Sequence, residues 1–280
     1  MGHVPPRDTL GIVRWFVLLA LTGCGRSGFD ATDARTDART DSTQDGSSAY
    51  RDAVLADQPV SYFRLGEAGG PYAHSETGSA MALYVTTNDM IRYGRASVTG
   101  DGDTAVQFDG VGNLEPPSED IAALDLVELR PRFTGDFTIE ALVYPIGVPS
   151  DAAPYAFLLC ENYLTNGFRT GWLDTMRIQV WNDEANGATS IKSQRVLAPD
   201  IWQHVVIAKA GTTFTIYIDG SDAGTGDMPD YVPPDSNAEC GMGSFHGTPS
   251  HAIFDELAIY TRALPAARVA VHSQLATAFP

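Results

Sequence analysis

Trp202-Gln203-His204-Val205-Val206-Ile207-Ala208-Lys209-Ala210-Gly211-Thr212-Thr213-Phe214-Thr215-Ile216-Tyr217-Ile218-Asp219-Gly220 decides the fold class. Trp202 to Ala208 and Thr213 to Ile218 read as two strands joined by a turn through Ala210-Gly211. In the second strand Phe214, Ile216 and Ile218 face one way while Thr213, Thr215 and Tyr217 face the other. Asp219-Gly220 reads as the next turn, where glycine tolerates positive φ. Working outward, Phe137, Ile139, Ala141 and Val143 alternate with Thr138, Glu140, Leu142 and Tyr144 in a strand stopped by Pro145. Tyr155 to Cys160 and Met176 to Trp181 follow. Ala252 to Tyr260 sets Ile253, Asp255, Leu257 and Ile259 against Phe254, Glu256, Ala258 and Tyr260. Almost nothing has a helical period before the tail, Ala266 to Phe279, which suits a short helix or a capping strand. Many short, regularly punctuated strands predict an all-β sandwich of two antiparallel sheets.

The 280 residues carry 35 acidic against 18 basic side chains, a formal charge of −17, and 44% are hydrophobic, enough for a packed core. Only Lys192 and Lys209 are lysines, so a phosphate-neutralising surface for nucleic acid is not expected. Three cysteines in this length exclude a disulfide-dense scaffold. The strongest apolar run, Trp15 to Leu21, is far shorter than the roughly 18 to 20 residues that span a bilayer. Residues 50–280 hold 29 acidic and 13 basic side chains, so the acidity belongs to the globular part.

That apolar run follows Arg7 and Arg14 and precedes Thr22-Gly23, the order of an export signal. Leu21-Thr22-Gly23-Cys24 resembles the bacterial lipobox, which implies a signal peptide over 1–23, a diacylglyceryl group on the Cys24 thiol and a membrane anchor without a spanning helix. The following Gly25 implies the outer membrane or cell surface. Residues 24–49 repeat Thr-Asp-Ala-Arg and, apart from Phe29, lack large apolar side chains, so they read as a disordered tether with a reach of about 25 to 30 Å. The globular domain is expected over 50–280.

Five landmarks in that domain carry a family resemblance. They are Tyr62-Phe63-Arg64-Leu65-Gly66-Glu67, Ala105-Val106-Gln107-Phe108-Asp109-Gly110, Phe137 to Val143, Trp202 to Val206 with Ile216 to Gly220, and Phe254-Asp255-Glu256-Leu257-Ala258-Ile259-Tyr260. In this order they resemble bacterial laminin G-like domains, which implies the concanavalin A-like jelly roll. The resemblance also implies a structural Ca²⁺ where the first and last strands meet, with Glu67 and Asp255 at matching positions and Asp109 as a weaker third. Ser75 stands where the family usually has a carboxylate, and Glu76 is the substitute one place along. The alternative is that these carboxylates cap turns or pair with arginines.

With Cys24 lipidated, Cys160 and Cys240 form an even pair in an exported domain, and a disulfide is expected. No zinc spacing is present, and His246 and His251 fall in a Gly/Pro/Ser loop. Retaining glucanases of this fold place carboxylates about 5 Å apart on one strand face. No such run occurs, and Asp255-Glu256, being adjacent, should point to opposite faces, so a binding protein rather than an enzyme is expected. The loops at 161–171, 182–190 and 227–239 carry Tyr163, Asn166, Trp181, Asn182, Asn186, Tyr231 and Asn237, the aromatic and amide mixture that sugar recognition uses. The expected partner is a glycan or an envelope or extracellular protein; the competing reading is an architectural or adhesion module without sugar binding.

Overall fold

The computed structural model describes residues 49–276 apart from 87–88, 110–121, 150–154, 163–165, 173–174, 183–188 and 245–249. The export signal, Cys24 and the tether lie outside the described residues up to residue 48, as do Tyr163, Asn186 and His246. Contacts divide the chain into Met1–Ser42 and Thr43–Pro280, and everything described belongs to the second unit.

Two antiparallel sheets carry the fold, as the strand punctuation predicts. The first runs in spatial order β14 (Ser221–Asp227), β13 (Thr213–Ile218), β12 (Gln203–Ala210), β7 (Phe137–Pro145), β16 (His251–Tyr260), β5 (Thr104–Asp109) and β4 (Ile91–Ala96), with β1 (Ser61–Phe63) pairing on β16. The second runs β11 (Ser190–Val196), β10 (Arg177–Trp181), β9 (Asn166–Trp172), β8 (Tyr155–Asn162), β15 (Glu239–Ser244), β6 (Ala122–Asp125), β3 (Met81–Thr86) and β2 (Tyr72–His74). Between them, Ile139, Ala141 and Val143 of β7 and Phe214, Ile216 and Ile218 of β13 meet Phe157, Phe168, Ile178 and Val180 of the second sheet. Phe137 stacks on Phe168 at 5.1 Å between ring centroids, and Phe157 on Phe254 at 5.9 Å. Cys160 and Cys240 face each other across β8 and β15 and form a disulfide.

The first sheet is covered on its outer face as well. Helix α1 (Ala49–Ala56) presents Tyr50 and Val54, four residues apart on one side, and helix α2 (Ala266–Ala276) presents Val269. They close over Tyr62, Leu142, Val206, Tyr217 and Tyr260 to make a second apolar cluster. The tail is thus the helix among its two predicted forms. A helix also precedes β1, where the sequence shows no helical period; its two buried apolar residues in eight are too few for a periodic signal. The turn at Asp219-Gly220 has φ of 49° and 73°, and a Cβ on Gly220 would lie 2.9 Å from Ser273 Cβ and 3.1 Å from Ala270 Cα of α2. Gly220 therefore serves the turn and the seating of α2 together. Among the described residues no helix is long and apolar enough to cross a membrane.

At the centre of this outer face lies Glu140, fully buried. The hydroxyls of Tyr50 and Tyr260 donate to its Oε1 and Oε2, each at 3.0 Å, and His204 Nε2 reaches Oε1 at 2.7 Å. His272 Nδ1 lies 2.9 Å from Oε1, while its Nε2 lies 2.9 Å from Asp57 Oδ2 and 3.2 Å from the Ala53 carbonyl. Both ring nitrogens of His272 face acceptors only, so the ring is an imidazolium. Burial pulls the His272 pKa down, but Glu140 and Asp57 together carry it above its ordinary value. Burial likewise pushes Glu140 up, and the hydrogen bonds and charges of His204 and His272 override it, holding the carboxyl well below the usual range. The strand histidine His204 is thus a packed, hydrogen-bonded residue. Glu140→Ala leaves a buried imidazolium facing Asp57 alone and should cost about 3 to 5 kcal/mol of unfolding free energy, measured by urea titration.

Candidate functional site

The strict alternation expected along Ala252–Tyr260 breaks once. Ala252 and Phe254 enter the core at even positions, and Leu257 and Ile259 at odd ones. The pairing of β16 with β7 shifts between Asp255 and Ala258, and Glu256 takes φ 56°, so a β-bulge inserts one residue. This overturns the expectation that Asp255 and Glu256 point apart. Both are buried, and a carboxylate oxygen of each lies within 4.8 Å of the other and of Asp103.

Arg64, on the segment after β1, binds this group. Its Nη2 lies 2.9 Å from both Glu256 Oε1 and Asp103 Oδ2, and it also bonds Asp101. Tyr62 donates to Glu256 Oε2 and Ser97 to Asp255 Oδ2. Asp103 sits where Gly66 makes room, since a Cβ there would fall 1.9 Å from Asp103 Oδ1. Asp255 Oδ1 is buried with no hydrogen-bond partner among the described residues. Burial raises the Asp255 pKa, reinforced by Glu256. Burial also pushes Glu256 up, against Arg64, to about 7.

The residues expected around Ca²⁺ are therefore only partly brought together. Asp255 is in the cluster. Glu67 instead accepts the His74 amide at 3.1 Å and the Tyr84 hydroxyl at 2.9 Å, and Asp109 pairs with Arg92, Gln107 and, at 3.5 Å, His251. Ser75 accepts the Tyr62 amide, and Glu76 pairs with Arg51 at 2.7 Å rather than replacing the family's carboxylate. Sequence reading missed Asp103 and Glu256. The run Gly100-Asp101-Gly102-Asp103, two aspartates in a glycine turn before β5, was the available signal for the first; the bulge that brings in the second has none. The donor set suits a hard cation, with an unsatisfied buried oxygen and neighbouring carboxylates. In metal-free buffer Asp255 and Glu256 hold protons in the fold that the unfolded chain releases above about 3.9 and 4.3. Stability should then fall as pH rises from about 4 to about 7, read as the melting temperature, and Asp255→Asn should flatten that slope.

A second group lies on the outer face of the second sheet. Phe168 and Trp172 of β9 and Ile178 and Val180 of β10 enter the core, so Arg169, Gln179 and Trp181 lie on the opposite face. Trp181 is directly across from Arg169, and Gln179 lies between Gly171 and Lys192. Arg169 pairs with Glu161, and its guanidinium carbon is 5.9 Å from the Trp181 ring centroid. Trp181, Arg169 and Glu161 are 6%, 7% and 6% exposed. Yet Trp181 Nε1, Arg169 Nε, Gln179 Oε1 and, at the end of β10, Asn182 Oδ1 have no partner among the described residues. Each such group costs about 1 to 3 kcal/mol unless water or a ligand pairs it.

Of the loop residues expected to meet a ligand, Trp181 belongs to this face, and Asn182 follows it at the end of β10. Asn166 opens β9 opposite Asn162. Tyr231 is a packing residue: its hydroxyl donates to the Phe133 carbonyl at 3.0 Å and its ring lies 5.4 Å from that of Phe214. The Asn237 amide donates to Asp235 Oδ1 at 2.7 Å in an exposed turn. That turn borders a groove of about 420 Å³ between Val127, Arg130 and Pro131 on one side and Pro234 on the other.

No curated protein sequence matches the chain. Among solved structures, a Trypanosoma rangeli sialidase complexed with 2,3-difluorosialic acid aligns with TM-score 0.56 at 16% identity, covering 79% of this chain and 33% of its own. The binding domain of Paraclostridial Mosquitocidal Protein 1 gives 0.56 at 18%, covering 79% and 52%. The botulinum neurotoxin serotype G binding domain gives 0.55 at 15%, covering 78% and 51%. The chain thus spans about a third of the sialidase and half of the toxin domains, and at these identities the likeness is one of fold. Residues 120–270, more than half of the chain, match the laminin G-type family of the concanavalin A-like lectin/glucanases superfamily, and the chain belongs to that family.

Proposed function

We propose that this chain is an exported, lipid-anchored binding protein that holds a glycan on the outer face of its second sheet. The observation that carries this reading is the match of residues 120–270 to the laminin G-type family of the concanavalin A-like lectin/glucanases superfamily. Trp181, a ligand residue expected from the sequence, belongs to this face, and at 6% exposure its indole engages a pyranose only after turning outward. The solved relatives named as a sialidase with a sialic acid derivative and as toxin binding domains lend the same direction. The Leu21-Thr22-Gly23-Cys24 motif supports lipid attachment at Cys24, and Gly25 supports the outer membrane or cell surface.

The role is binding rather than catalysis. The paired carboxylates of the domain, Asp255 and Glu256, are tied to Arg64 and Tyr62 at its buried strand bulge, where they serve structure. The proposed occupant there is Ca²⁺, held by Asp103, Asp255 and Glu256, with further oxygens needed to complete six to eight. Millimolar Ca²⁺ should raise the melting temperature of the metal-free protein by several degrees and remove its pH slope, whereas no shift would argue against the ion.

A glycan array probed with the full-length chain tests the binding role. Defined sugar hits that weaken at least tenfold in Trp181→Ala support it. A blank array, or hits indifferent to Trp181, returns the domain to a protein-binding or architectural role.

A further inference from the structure

Helix α1 opens the described domain and is bound to it through side chains. Tyr50 and Val54 enter the outer apolar cluster, the Tyr50 hydroxyl donates to Glu140, and Arg51 reaches Glu76 at 2.7 Å in a partly exposed pair. A helix of eight residues has little stability of its own, so such contacts decide whether α1 stays docked. Asp57, one residue past the helix, carries the charged ones. Its carboxylate lies 2.9 Å from His272 Nε2 and 2.7 Å from Arg268 Nε, both on α2, and 3.7 Å from Arg262 Nη2 beyond the end of β16.

Of these three cations, His272 is the one that can lose its charge near neutral pH. From α1 and the turn after it, His272 meets the Ala53 carbonyl, Asp57 and the Tyr50 ring, 6.2 Å away between centroids. From β7 it meets Glu140, whose oxygens it shares with His204 of β12 and Tyr260 of β16. Arg268 on its own helix and Arg262 past β16 bind the same Asp57. Burial lowers the His272 pKa, and Glu140 and Asp57, against Arg268, raise it past its ordinary value. A neutral ring has one N–H for two carboxylates and turns a bare nitrogen lone pair toward Glu140 or toward Asp57. The arginines keep their charge, so the bond that is lost is the bridge from Asp57 to Glu140, between the end of α1 and the sheet beneath it.

We propose that α1 and α2 form a proton-dependent clasp, closed while His272 bridges Glu140 and Asp57 as an imidazolium and opened by its deprotonation, with the sandwich itself staying folded. Opening withdraws Tyr50 and Val54 and uncovers Tyr62, Leu142 and Tyr260 of the outer apolar cluster. In the open form His272 titrates near the ordinary histidine value of about 6.5. In the closed form it holds its proton to a higher pH. Opening therefore releases a proton between these two values, where the opening equilibrium rises about tenfold per pH unit. It is level below about 6.5 and level again above the closed-form value.

Amide hydrogen exchange of the full-length chain, followed from about pH 5.5 to about pH 9.5 and corrected for the intrinsic rise of exchange with pH, tests the clasp. The expected result is protection over residues 50–58 that is level to about pH 6.5, then falls about tenfold per unit and levels off, while β7 and β12 stay protected. His272→Gln keeps one donor and has no charge, so protection there should be low and independent of pH. Asp57→Asn removes one of the two carboxylates and should shorten the fall by about tenfold. Asp255→Asn should leave the profile over residues 50–58 as it is, which separates the clasp from the buried acids of β16. A level profile in the unmodified chain, or a fall shared equally by β7 and β12, overturns the proposal. A fall that survives in His272→Gln overturns the assignment to His272, and if that variant does not fold, an Asp57→Asn profile identical to that of the unmodified chain does the same.

Discussion

A carboxylate buried in the middle of a sheet has to be answered from every side, and Glu140 organises the domain for that reason. Its two oxygens draw one tyrosine from α1, one from β16, a histidine from β12 and an imidazolium from α2. His272 then passes the demand on to Asp57 and the Ala53 carbonyl at the end of α1. Two short helices, which have little stability alone, are thereby fixed over a sheet that would otherwise expose Leu142, Val206 and Tyr260. The cost of burying the charge is offset only by completeness, since any one missing partner leaves an unpaired ion in an apolar layer. The outer cluster and the inner core are in this sense one construction, with β7 serving both.

The second constraint is the extra residue in β16. A central strand paired on both sides cannot shift its phase without a bulge, and the bulge places Asp255 and Glu256 together instead of apart. Arg64 and Tyr62 bring the first strand of the domain to the last at this point. Burial raises the pKa of both acids, and Arg64 opposes that rise at Glu256.

The helices cover the outer face of the first sheet, and buried polar atoms without partners occur on the outer face of the second as well as at Asp255. The glycines at 167, 171 and 241 put no side chains there, while Arg169, Gln179 and Trp181 crowd one region of it. Thr170 on the Leu158 backbone and Ser193 on the Ile178 amide are paired, while Gln107 Oε1, Trp172 Nε1 and His204 Nδ1 are buried without a partner among the described residues, as the Trp181 group is.

Much of this was legible in the chain. Period-two alternation in Phe137–Val143 and Phe214–Ile218 specified strands and which residues face the core, because one sheet face must be apolar whatever the partner. The Asp219-Gly220 turn and the Cys160/Cys240 pair followed from local conformation and from counting thiols, and the ordered landmarks from Arg64 to Tyr260 gave the family. Trp181, Asn182 and Tyr231 are ligand candidates on residue type alone; Tyr231 packs partly buried against the core, because composition does not say which way a loop aromatic turns. The bulge at Glu256, the assembly of Asp103 with Asp255, the helix at Ala49–Ala56 and the partners of Glu140 were decided only by tertiary structure. Each depends on groups tens to hundreds of residues apart meeting at hydrogen-bond distance, and local periodicity carries no information about that distance. The sequence by itself determined the fold and the faces of strands such as Phe137–Val143 and Phe214–Ile218; the packed chain decided which acids converge and which polar atoms lie buried without a partner.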